Sequence, residues 1–302
     1  MRTAFIEELI VQARLHPEIF LVVGDLGYSV VEPFAAEFPR RYLNAGVAEQ
    51  NMTGVAAGLA SEGYHVFTYS IANFPTLRCL EQIRNDIAYH YFPVTIVSVG
   101  AGVAYGNLGY SHHAVQDIGI MRSIPELCIL SPSDPGETRE CVEWLANNPR
   151  PSYLRIGKAG EPKLHDVRGI SRGPLRVLEG DGDVAVISTG SILREALIAT
   201  REIEAKRGFK LPVFSCPWLQ PSTAEFFAPL RGFKKVVVLE EHLAAGGLAS
   251  LLRDNLPSGI QFLSCALQED THSVIGTQSF IRGHSGLNAP KIEENILKFL
   301  SV

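Results

Sequence analysis

Short runs of apolar, often β-branched residues alternate along the chain with segments in which apolar residues recur at helical spacing. This alternation is typical of parallel sheets covered by helices. The run Val94–Val99 is apolar on both faces, as a strand buried between helices requires. In the first half the pattern predicts strands at Ile19–Val23, His65–Tyr69, Val94–Val99, Leu127–Leu130 and Pro151–Ile156, and helices at Met1–Leu15, Ala45–Ala60, Cys79–Tyr91, Asp117–Ser123 and Pro135–Asn147.

Between Lys158 and Pro174 the periodicity lapses into Gly, Pro, Lys and Arg, which is typical of a linker. A second alternating set follows, with strands predicted at Asp183–Ser188, Pro212–Cys216, Val236–Glu240 and Gln261–Cys265, and helices at Ile192–Arg207, Thr223–Leu230, Gly247–Leu256 and Lys291–Leu300. The predicted fold class is therefore α/β. We expect two doubly wound domains with mostly parallel sheets, at residues 1–160 and 175–302, joined by a linker at 161–174.

The composition narrows the function classes. Of 302 residues 46% are hydrophobic and 20% are charged, which provides a sizeable core. A net charge of −5, with no basic stripe, argues against a nucleic-acid binder. No apolar run is long enough to span a bilayer, and the amphipathic N-terminal segment does not resemble a signal peptide. Five dispersed cysteines without a CxxC pair suit a reducing compartment, so we expect a soluble cytoplasmic protein.

The segment Asn44–Leu59 opens a helix rich in glycine and alanine. Small residues at helical spacing indicate that another element packs close to the helix backbone. Glu49 and Gln50 are the large polar groups near its N-terminal end. A solvated glutamate favoured by the helix dipole is one interpretation. A buried glutamate with a specific partner is the other, since a helix at an interface would desolvate the side chain.

A glycine-rich loop, Val99–His113, follows a predicted buried strand and ends in two adjacent histidines. Its four glycines let the backbone approach a ligand closely. Adjacent side chains do not face one way, so we expect at most one of His112 and His113 to be catalytic and the other to be a structural hydrogen-bonder. Nearby residues complete no metal-binding set, so no metal ligand is assigned to this chain.

Two further segments carry candidate binding groups. Phe67, Tyr69 and Phe74 lie in and after a predicted strand, where aromatic rings either stack on a flat heterocycle or fill the core. Arg155 and Lys158 lie at the exit of another strand, where they either bind a phosphate or are simply solvated.

The order of the motifs is more specific than any one of them. Along the chain stand Gly-Val-Ala-Glu-Gln-Asn at 46–51, Cys-Leu-Glu-Gln-Ile-Arg-Asn-Asp at 79–86, Gly-Tyr-Ser-His-His-Ala-Val-Gln-Asp-Ile at 109–118, Ser-Pro-Ser-Asp-Pro at 131–135 and Glu-Glu-His-Leu-Ala-Ala-Gly-Gly-Leu at 240–248. This series resembles the transketolase family, which uses thiamine diphosphate. The resemblance covers essentially the whole chain, with a pyrimidine-binding domain at 1–160 and a transketolase C-terminal domain at 175–302.

The resemblance implies a cofactor site. Glu49 matches the family glutamate that hydrogen-bonds the aminopyrimidine ring of thiamine diphosphate and favours its imino tautomer. The family's aromatic side chain stacks on the pyrimidine, and Phe67, Tyr69 and Phe74 all remain candidates for that place. Arg78 lies in the same segment and is expected to contact the cofactor as well.

The resemblance also implies substrate contacts. His112 matches the family histidine that contacts substrate oxygens and assists proton transfer, and His113 is a neighbour on the substrate side. Arg155 and Lys158 lie where the family keeps basic residues for a substrate phosphate. At two places where full-length transketolases carry acceptor-contacting residues, this chain has Gly100 and Leu108. The usual sugar acceptors are therefore in doubt.

One motif of the transketolase family, its binding site for diphosphate and metal, is missing from this chain. The family binds the diphosphate and Mg²⁺ through Gly-Asp-Gly and a later asparagine on a separate N-terminal domain, and the nearest match here is Gly24-Asp-Leu-Gly27. We therefore expect a partner subunit that carries the Mg²⁺ ligands. The simplest assembly is an α2β2 heterotetramer with the helix around Glu49 near the β–β contact.

The main hypothesis is a β-type subunit of a split transketolase that transfers a two-carbon ketol unit between a ketose or its phosphate and an aldose or its phosphate. One alternative is the β subunit of a 2-oxoacid dehydrogenase E1 component. Deoxyxylulose phosphate synthase activity and a catalytically inactive assembly subunit are the others.

Overall fold

The computed structural model describes residues 1–166, 169–170 and 172–301. The first half contains α1 (Arg2–Leu15), β1 (Ile19–Val23), α2 (Glu32–Glu37), β2 (Tyr42–Asn44), α3 (Glu49–Ser61), β3 (His65–Ile71), α4 (Leu80–Gln82), β4 (Val94–Val99), α5 (Asp117–Arg122), β5 (Cys128–Leu130), α6 (Pro135–Asn147) and β6 (Ser152–Ile156). The second half contains β7 (Leu175–Leu178), β8 (Val184–Thr189), α7 (Leu193–Arg207), β9 (Val213–Ser215), β10 (Trp218–Gln220), β11 (Lys235–Leu243), α8 (Leu248–Asn255), β12 (Gln261–Leu267), α9 (Gln278–His284) and α10 (Ala289–Leu300).

The strands form two sheets. The first has the order β10-β5-β6-β4-β3-β1-β2, and the second has the order β12-β11-β8-β9-β7. Each is parallel except for one edge strand: β10 runs antiparallel to β5, and β7 runs antiparallel to β9. Strands β1, β4 and β6 are buried along their whole length, as strands covered by helices on both faces must be. The predicted α/β class with mostly parallel sheets is confirmed.

One strand from the second half completes the first sheet. Trp218 of β10 pairs with Leu130 of β5, and its buried indole lies edge-on to Trp144 with 4.8 Å between ring centroids. The apolar side chains of Leu248 and Leu252 in α8 also join the core of the first sheet. The two halves are therefore joined by hydrogen bonds between strands and by a shared hydrophobic core. The boundaries at 160 and 175 stay a prediction.

Some predicted helices differ from those found. The sequence predicts a helix at Thr223–Leu230, but the structure has a single 3₁₀ turn at Ala228–Leu230, because Pro229 has no backbone N–H to donate. The predicted helix Cys79–Tyr91 divides into a 3₁₀ turn, the short α4 and a π turn at Ile83–Ala88. Five elements are absent from the prediction, since each is too short to show a clear period: α2, β2, β7, β10 and α9.

The described residues of the 161–174 segment form no helix or strand. The segment is nevertheless attached to the first half. The Leu164 N–H donates to Asp134 Oδ2 at 2.7 Å, and the N-terminal ammonium donates to Glu161 Oε2 at 2.8 Å. Across the described part of the chain, no helix combines the length and apolar character that crossing a membrane requires.

Candidate functional site

Four of the candidate residues, Glu49, Phe74, Arg78 and His112, come together beyond the carboxyl ends of neighbouring parallel strands, where open α/β sheets bind ligands. Glu49 begins α3 shortly after β2, Phe74 and Arg78 follow β3, and His112 lies on the loop after β4. Strands β3 and β4 are adjacent in the sheet, with β1 and β2 next to them. Sheet order therefore places segments together that are up to 63 residues apart in sequence.

Glu49 is buried, with 2% of its surface exposed, at the first position of α3. Its Oε2 accepts a hydrogen bond from Arg78 Nη1 at 2.7 Å, and the helix N-terminus favours a negative charge there. Gln50 Nε2 donates to the Arg78 carbonyl at 3.1 Å and fixes the same segment. Of the two sequence interpretations, the structure therefore has the buried glutamate with a specific partner.

Phe74 connects Arg78 to His112. The Arg78 guanidinium carbon lies 4.6 Å from the centre of the Phe74 ring, and the Phe74 and His112 rings are 5.1 Å apart at 70°. Glu49, Arg78, Phe74 and His112 thus form one unbroken series of contacts. An open cleft of about 520 Å³ adjoins this series, lined by Asn73, Phe74, Leu77, Arg78, Tyr110, Ser111, Gln116 and Ile120.

His112 is half-buried, and its ring contacts Phe74, which lines the cleft. Burial lowers its pKa, so the imidazole is neutral at neutral pH. Its Nδ1 lies 3.0 Å from the Ser111 hydroxyl, which leaves Nε2 for a ligand. A neutral imidazole beside a cleft can accept or return a proton.

His113 is fully buried, in contrast to its neighbour. Neither ring nitrogen makes a hydrogen bond of good geometry within the described residues. Burial lowers its pKa, and the backbone of Gly106 opposes this in part. Its carbonyl accepts from Asn73 Nδ2 at 2.6 Å and so ties the loop to the segment after β3. The two histidines face different environments, as their adjacency predicted.

Phe67 and Tyr69 do not lie at the cleft. Both are buried against Phe5 of α1, with ring centroids 6.4 and 5.7 Å from its ring. Side chains alternate between the faces of a strand, and Ser70 lies on the face that contains Met52 of α3. Strand parity therefore places both rings on the face of the sheet opposite α3. They are core residues, and Phe74 is the aromatic candidate that reaches the cleft.

Arg155 is likewise placed away from the cleft. It is 2% exposed, its Nε donates to Asp117 Oδ2 at 2.7 Å, and its Nη2 donates to the carbonyls of Ala114 and Glu241 at 2.8 and 3.0 Å. The Tyr153 hydroxyl donates to the same Asp117 oxygen at 2.6 Å. These bonds commit the guanidinium to the contact between the two halves, away from the residues that line the cleft.

Lys158 stays accessible. Its Nζ donates to the Ala104 carbonyl at 3.0 Å. It lines a smaller cavity of about 150 Å³, whose other basic side chains are Arg194 and Arg282. The structure thus separates Lys158 from the residues that line the cleft beside Phe74.

The loop geometry explains why Gly100 differs from the family pattern. Gly100 has φ +98°, and the ring of Tyr105 occupies the space that a side chain at this position would need. A histidine therefore does not fit here without a change in the loop. Leu108 is 57% exposed and carries no polar group toward a ligand.

Tyr110 and Gln116 line the cleft but are absent from the predicted site. Gln116 Nε2 donates to the Tyr110 hydroxyl at 2.6 Å across the turn that contains both histidines. In the sequence, the polar side chains of these two residues, close to the adjacent histidines, were the signal that could have indicated their place in the site. Among the described residues, no group of three or more His, Cys, Asp or Glu side chains is arranged to hold a metal ion.

Comparisons with known proteins cover both halves of the chain. The family model described as transketolase, pyrimidine binding domain, matches residues 1–160, and that described as transketolase, C-terminal domain, matches residues 173–265. An apulose-4-phosphate transketolase subunit of Actinobacillus succinogenes is 30% identical, covering 95% of this chain and 94% of that protein. The same-named subunit of Phocaeicola vulgatus is 31% identical, covering 99% and 97%. A solved split gene transketolase, an inactive β4 tetramer, superposes with a TM-score of 0.85 at 30% identity, covering 99% of this chain and 97% of that one.

Proposed function

The chain belongs to the transketolase family, and from that membership we propose that it is the β-type subunit of a split transketolase. The reaction is the transfer of a two-carbon ketol unit from a ketose or ketose phosphate to an aldose or aldose phosphate. The observation that carries the proposal is the buried Glu49, which is joined through Arg78 and Phe74 to His112 at one cleft. A scaffold would have no need of this arrangement.

The residues at the cleft fit the aminopyrimidine part of thiamine diphosphate. Glu49 is a buried carboxylate that can share a proton with a ring nitrogen, and Phe74, connected to it through Arg78, offers a ring edge or face at the cleft. Arg78 is 47% exposed, so it can turn from Glu49 toward an incoming group. Bound thiamine diphosphate supplies an electron sink for the two-carbon unit. This chain's part is to orient the pyrimidine ring and to set the protonation of its nitrogen.

His112 acts on the substrate side. Its lowered pKa keeps the ring neutral, so it can accept a proton from a substrate hydroxyl and return it. The Ser111 hydroxyl near Nδ1 orients the ring. His113, buried behind it, supports the loop and does not contact substrate.

A partner subunit completes the site in this proposal. The two relatives named above are themselves subunits, and this chain spans nearly their whole length. The diphosphate and Mg²⁺ ligands belong to the partner, and the assembly is an α2β2 heterotetramer. The exposed face of α3, with Gly54 and Gly58, provides the β–β contact. Five free, buried cysteines suit a reducing compartment, and we assign the protein to the cytoplasm.

The acceptor is a sugar or sugar phosphate outside the usual set. Tyr105 fills the space beside Gly100, and Leu108 is apolar, so two of the expected polar contacts to an acceptor are replaced. Lys158, although it lines a cavity separate from the cleft, remains the candidate for a substrate phosphate. The family relatives named above do not favour the E1 β subunit or an inactive assembly subunit.

The test is reconstitution. The chain is purified alone and together with a partner subunit that carries Gly-Asp-Gly and a later asparagine, and both are assayed with thiamine diphosphate, Mg²⁺ and a panel of ketose and aldose phosphates. We expect turnover by the complex and none by the isolated chain. Robust ketol transfer by the isolated chain contradicts the split assignment, and no transfer by the complex with any sugar contradicts the activity.

A further inference from the structure

A glutamate of the second half reaches the loop that carries the two histidines. Glu241 lies on β11 and is 3% exposed. Its Oε1 accepts a hydrogen bond from the Val103 N–H at 2.8 Å, between residues 138 positions apart. Val103 stands at the start of the segment 103–113, which we call the histidine loop.

The Glu241 carboxylate is itself fixed. Gln278 Nε2 donates to both its oxygens at 2.9 and 3.1 Å, and Arg282 Nε donates to Oε2 at 2.8 Å. Arg282 is fixed in turn by the Ser191 hydroxyl at 2.8 Å. A charged acceptor with several partners keeps one geometry, so it can impose that geometry on the amide it binds.

The main chain of Glu241 is tied to the other end of the loop. Arg155 Nη2 donates both to the Glu241 carbonyl and to the Ala114 carbonyl, at 3.0 and 2.8 Å. Gly102 and Ala114 exchange two backbone hydrogen bonds of 3.1 and 2.8 Å, which close the base of the loop. Glu241 therefore connects to both ends of the histidine loop, through its carboxylate to Val103 and through Arg155 to Ala114.

The fit at the base leaves no room for a side chain. Gly102 has φ +64°, and a Cβ there would lie 2.6 Å from Glu241 Oε1. The backbone of Gly102 thus lies directly against the carboxylate. The contact is a close and specific approach between the two halves rather than a loose surface contact.

We propose that Glu241 is a positioning residue, which sets the geometry of the histidine loop and thereby the place of the His112 ring. In this proposal the second half of the chain is part of the catalytic machinery without contacting substrate. The importance of the loop for catalysis rests on the proposed function, whereas its fixation by Glu241 does not.

The neighbouring Glu240 is a matched control. It is also buried on β11, but its oxygens accept from the N–H groups of Leu248 and Ala249, at 2.7 and 3.0 Å, at the start of α8. Both glutamates therefore stabilise the second half, and Glu241 alone of the two bonds to the histidine loop.

The experiment compares Glu241→Ala, Glu241→Asp, Glu241→Gln and Glu240→Ala in the full chain by amide hydrogen exchange. For Glu241→Ala we expect exchange at residues 103–114 to rise about tenfold or more, since a buried amide loses its acceptor. Glu241→Asp keeps the charge but retracts the carboxylate, so we expect an intermediate rise. Glu241→Gln retains an acceptor for Val103 and should return exchange toward the wild-type rate. Glu240→Ala should lower the melting temperature and leave the histidine loop protected.

A second readout is kinetic, in the complex with the partner subunit. Misplacing His112 should lower kcat by about tenfold to a hundredfold in Glu241→Ala with a smaller change in KM, and Glu241→Gln should recover most of it. Two results overturn the proposal. One is that the histidine loop exchanges equally fast in Glu240→Ala and Glu241→Ala. The other is that it exchanges at the wild-type rate in both Glu241→Ala and Glu241→Asp. If Glu241→Ala does not fold, the exchange rates of Glu241→Asp decide the outcome. Hydrogen exchange needs no substrate, so it tests the fixation of the loop by Glu241 even if the complex does not catalyse the proposed reaction.

Discussion

At the scale of single residues, burial decides what each candidate side chain can do. Glu49 and Arg155 are equally buried, yet their partners differ. Glu49 meets an arginine that is 47% exposed and free to turn, whereas Arg155 is committed to Asp117 and two carbonyls within the protein. The first pair can be rearranged by a ligand. The second is a permanent part of the fold.

Replacing Glu49 with glutamine tests the proposed acid directly. Glutamine has the same shape but cannot share a proton with a ring nitrogen, so turnover of the complex should fall by about 10²- to 10⁴-fold. The melting temperature should change little, because the half-exposed Arg78 can be solvated by water. Glu62→Gln, at the exposed end of the same helix, is the control and should keep full activity. Near-normal turnover in Glu49→Gln would show that the cofactor binds elsewhere.

Glu240 gives the stability of the protein a pH dependence. Burial raises its pKa from 4.5 to about 7, so the folded chain binds this proton more tightly than the unfolded chain. The stabilisation is therefore complete below about pH 4.5 and is lost as the pH rises through about 7. The full difference is roughly 3 kcal/mol.

The measurement is the free energy of unfolding in urea at about pH 5, 6, 7 and 8 for the wild type and Glu240→Gln. Glutamine does not ionise, so the wild type should lose stability relative to the variant between about pH 5 and 7.5 and lose no more above that. His65, whose pKa burial lowers to about 3, has the opposite pH dependence, but it is common to both proteins and cancels. Parallel curves would contradict the account.

At the scale of elements, close backbone contacts join the two halves around the site. Arg122 of α5 donates to the Gly246 carbonyl at 2.6 Å, and the Leu243 N–H donates to the Val115 carbonyl at 2.9 Å. A Cβ on Gly246 would lie 2.7 Å from the Gly119 Cα. The helix that follows the histidines therefore packs backbone to backbone against the second half.

Gly246→Ala should destabilise the chain more than backbone strain explains. Gly208 offers the comparison, because it has nearly the same φ, +74° against +75°, and no described atom apart from its chain neighbours lies within 4 Å of its would-be Cβ. Gly208→Ala should cost about 1 kcal/mol from strain alone. Gly246→Ala adds a clash and should cost roughly 2–4 kcal/mol. Equal changes in urea midpoint for the two variants would mean that α5 and the loop that contains Gly246 separate easily.

At the scale of the whole molecule, one face of α3 is open. At Gly46, Gly54 and Gly58, no described atom outside the adjoining chain and helix backbone lies within 4 Å of a would-be Cβ, and Val47 nearby is 76% exposed. Within the described part of the chain, the small residues that indicated a packed helix have no packing partner. The proposed assembly covers this face with a second copy.

Gly54→Arg tests that assembly. The new side chain extends into open space in the single chain, so the melting temperature of the isolated chain should not fall. In the complex the arginine should prevent two copies of α3 from meeting, and light scattering after gel filtration should show half the mass. Gly54→Ala preserves a small surface and should assemble normally. An unchanged mass for Gly54→Arg would place the contact on another face.

The sequence by itself determined the fold class and the family, and it supplied candidate side chains for the site. Alternating apolar periods specify an α/β sheet because strand and helix periods are local properties, and the order of motifs around Glu49 and His112 indicates the chemistry. The tertiary structure decided which of these side chains meet. Because side chains alternate between the two faces of a strand, Phe67 and Tyr69 lie in the core. The order of the strands places Phe74 beside Arg78 and His112. The contact between the two halves buries Arg155 and places Glu241 against the histidine loop. These outcomes depend on contacts between residues distant in sequence, which no local pattern records.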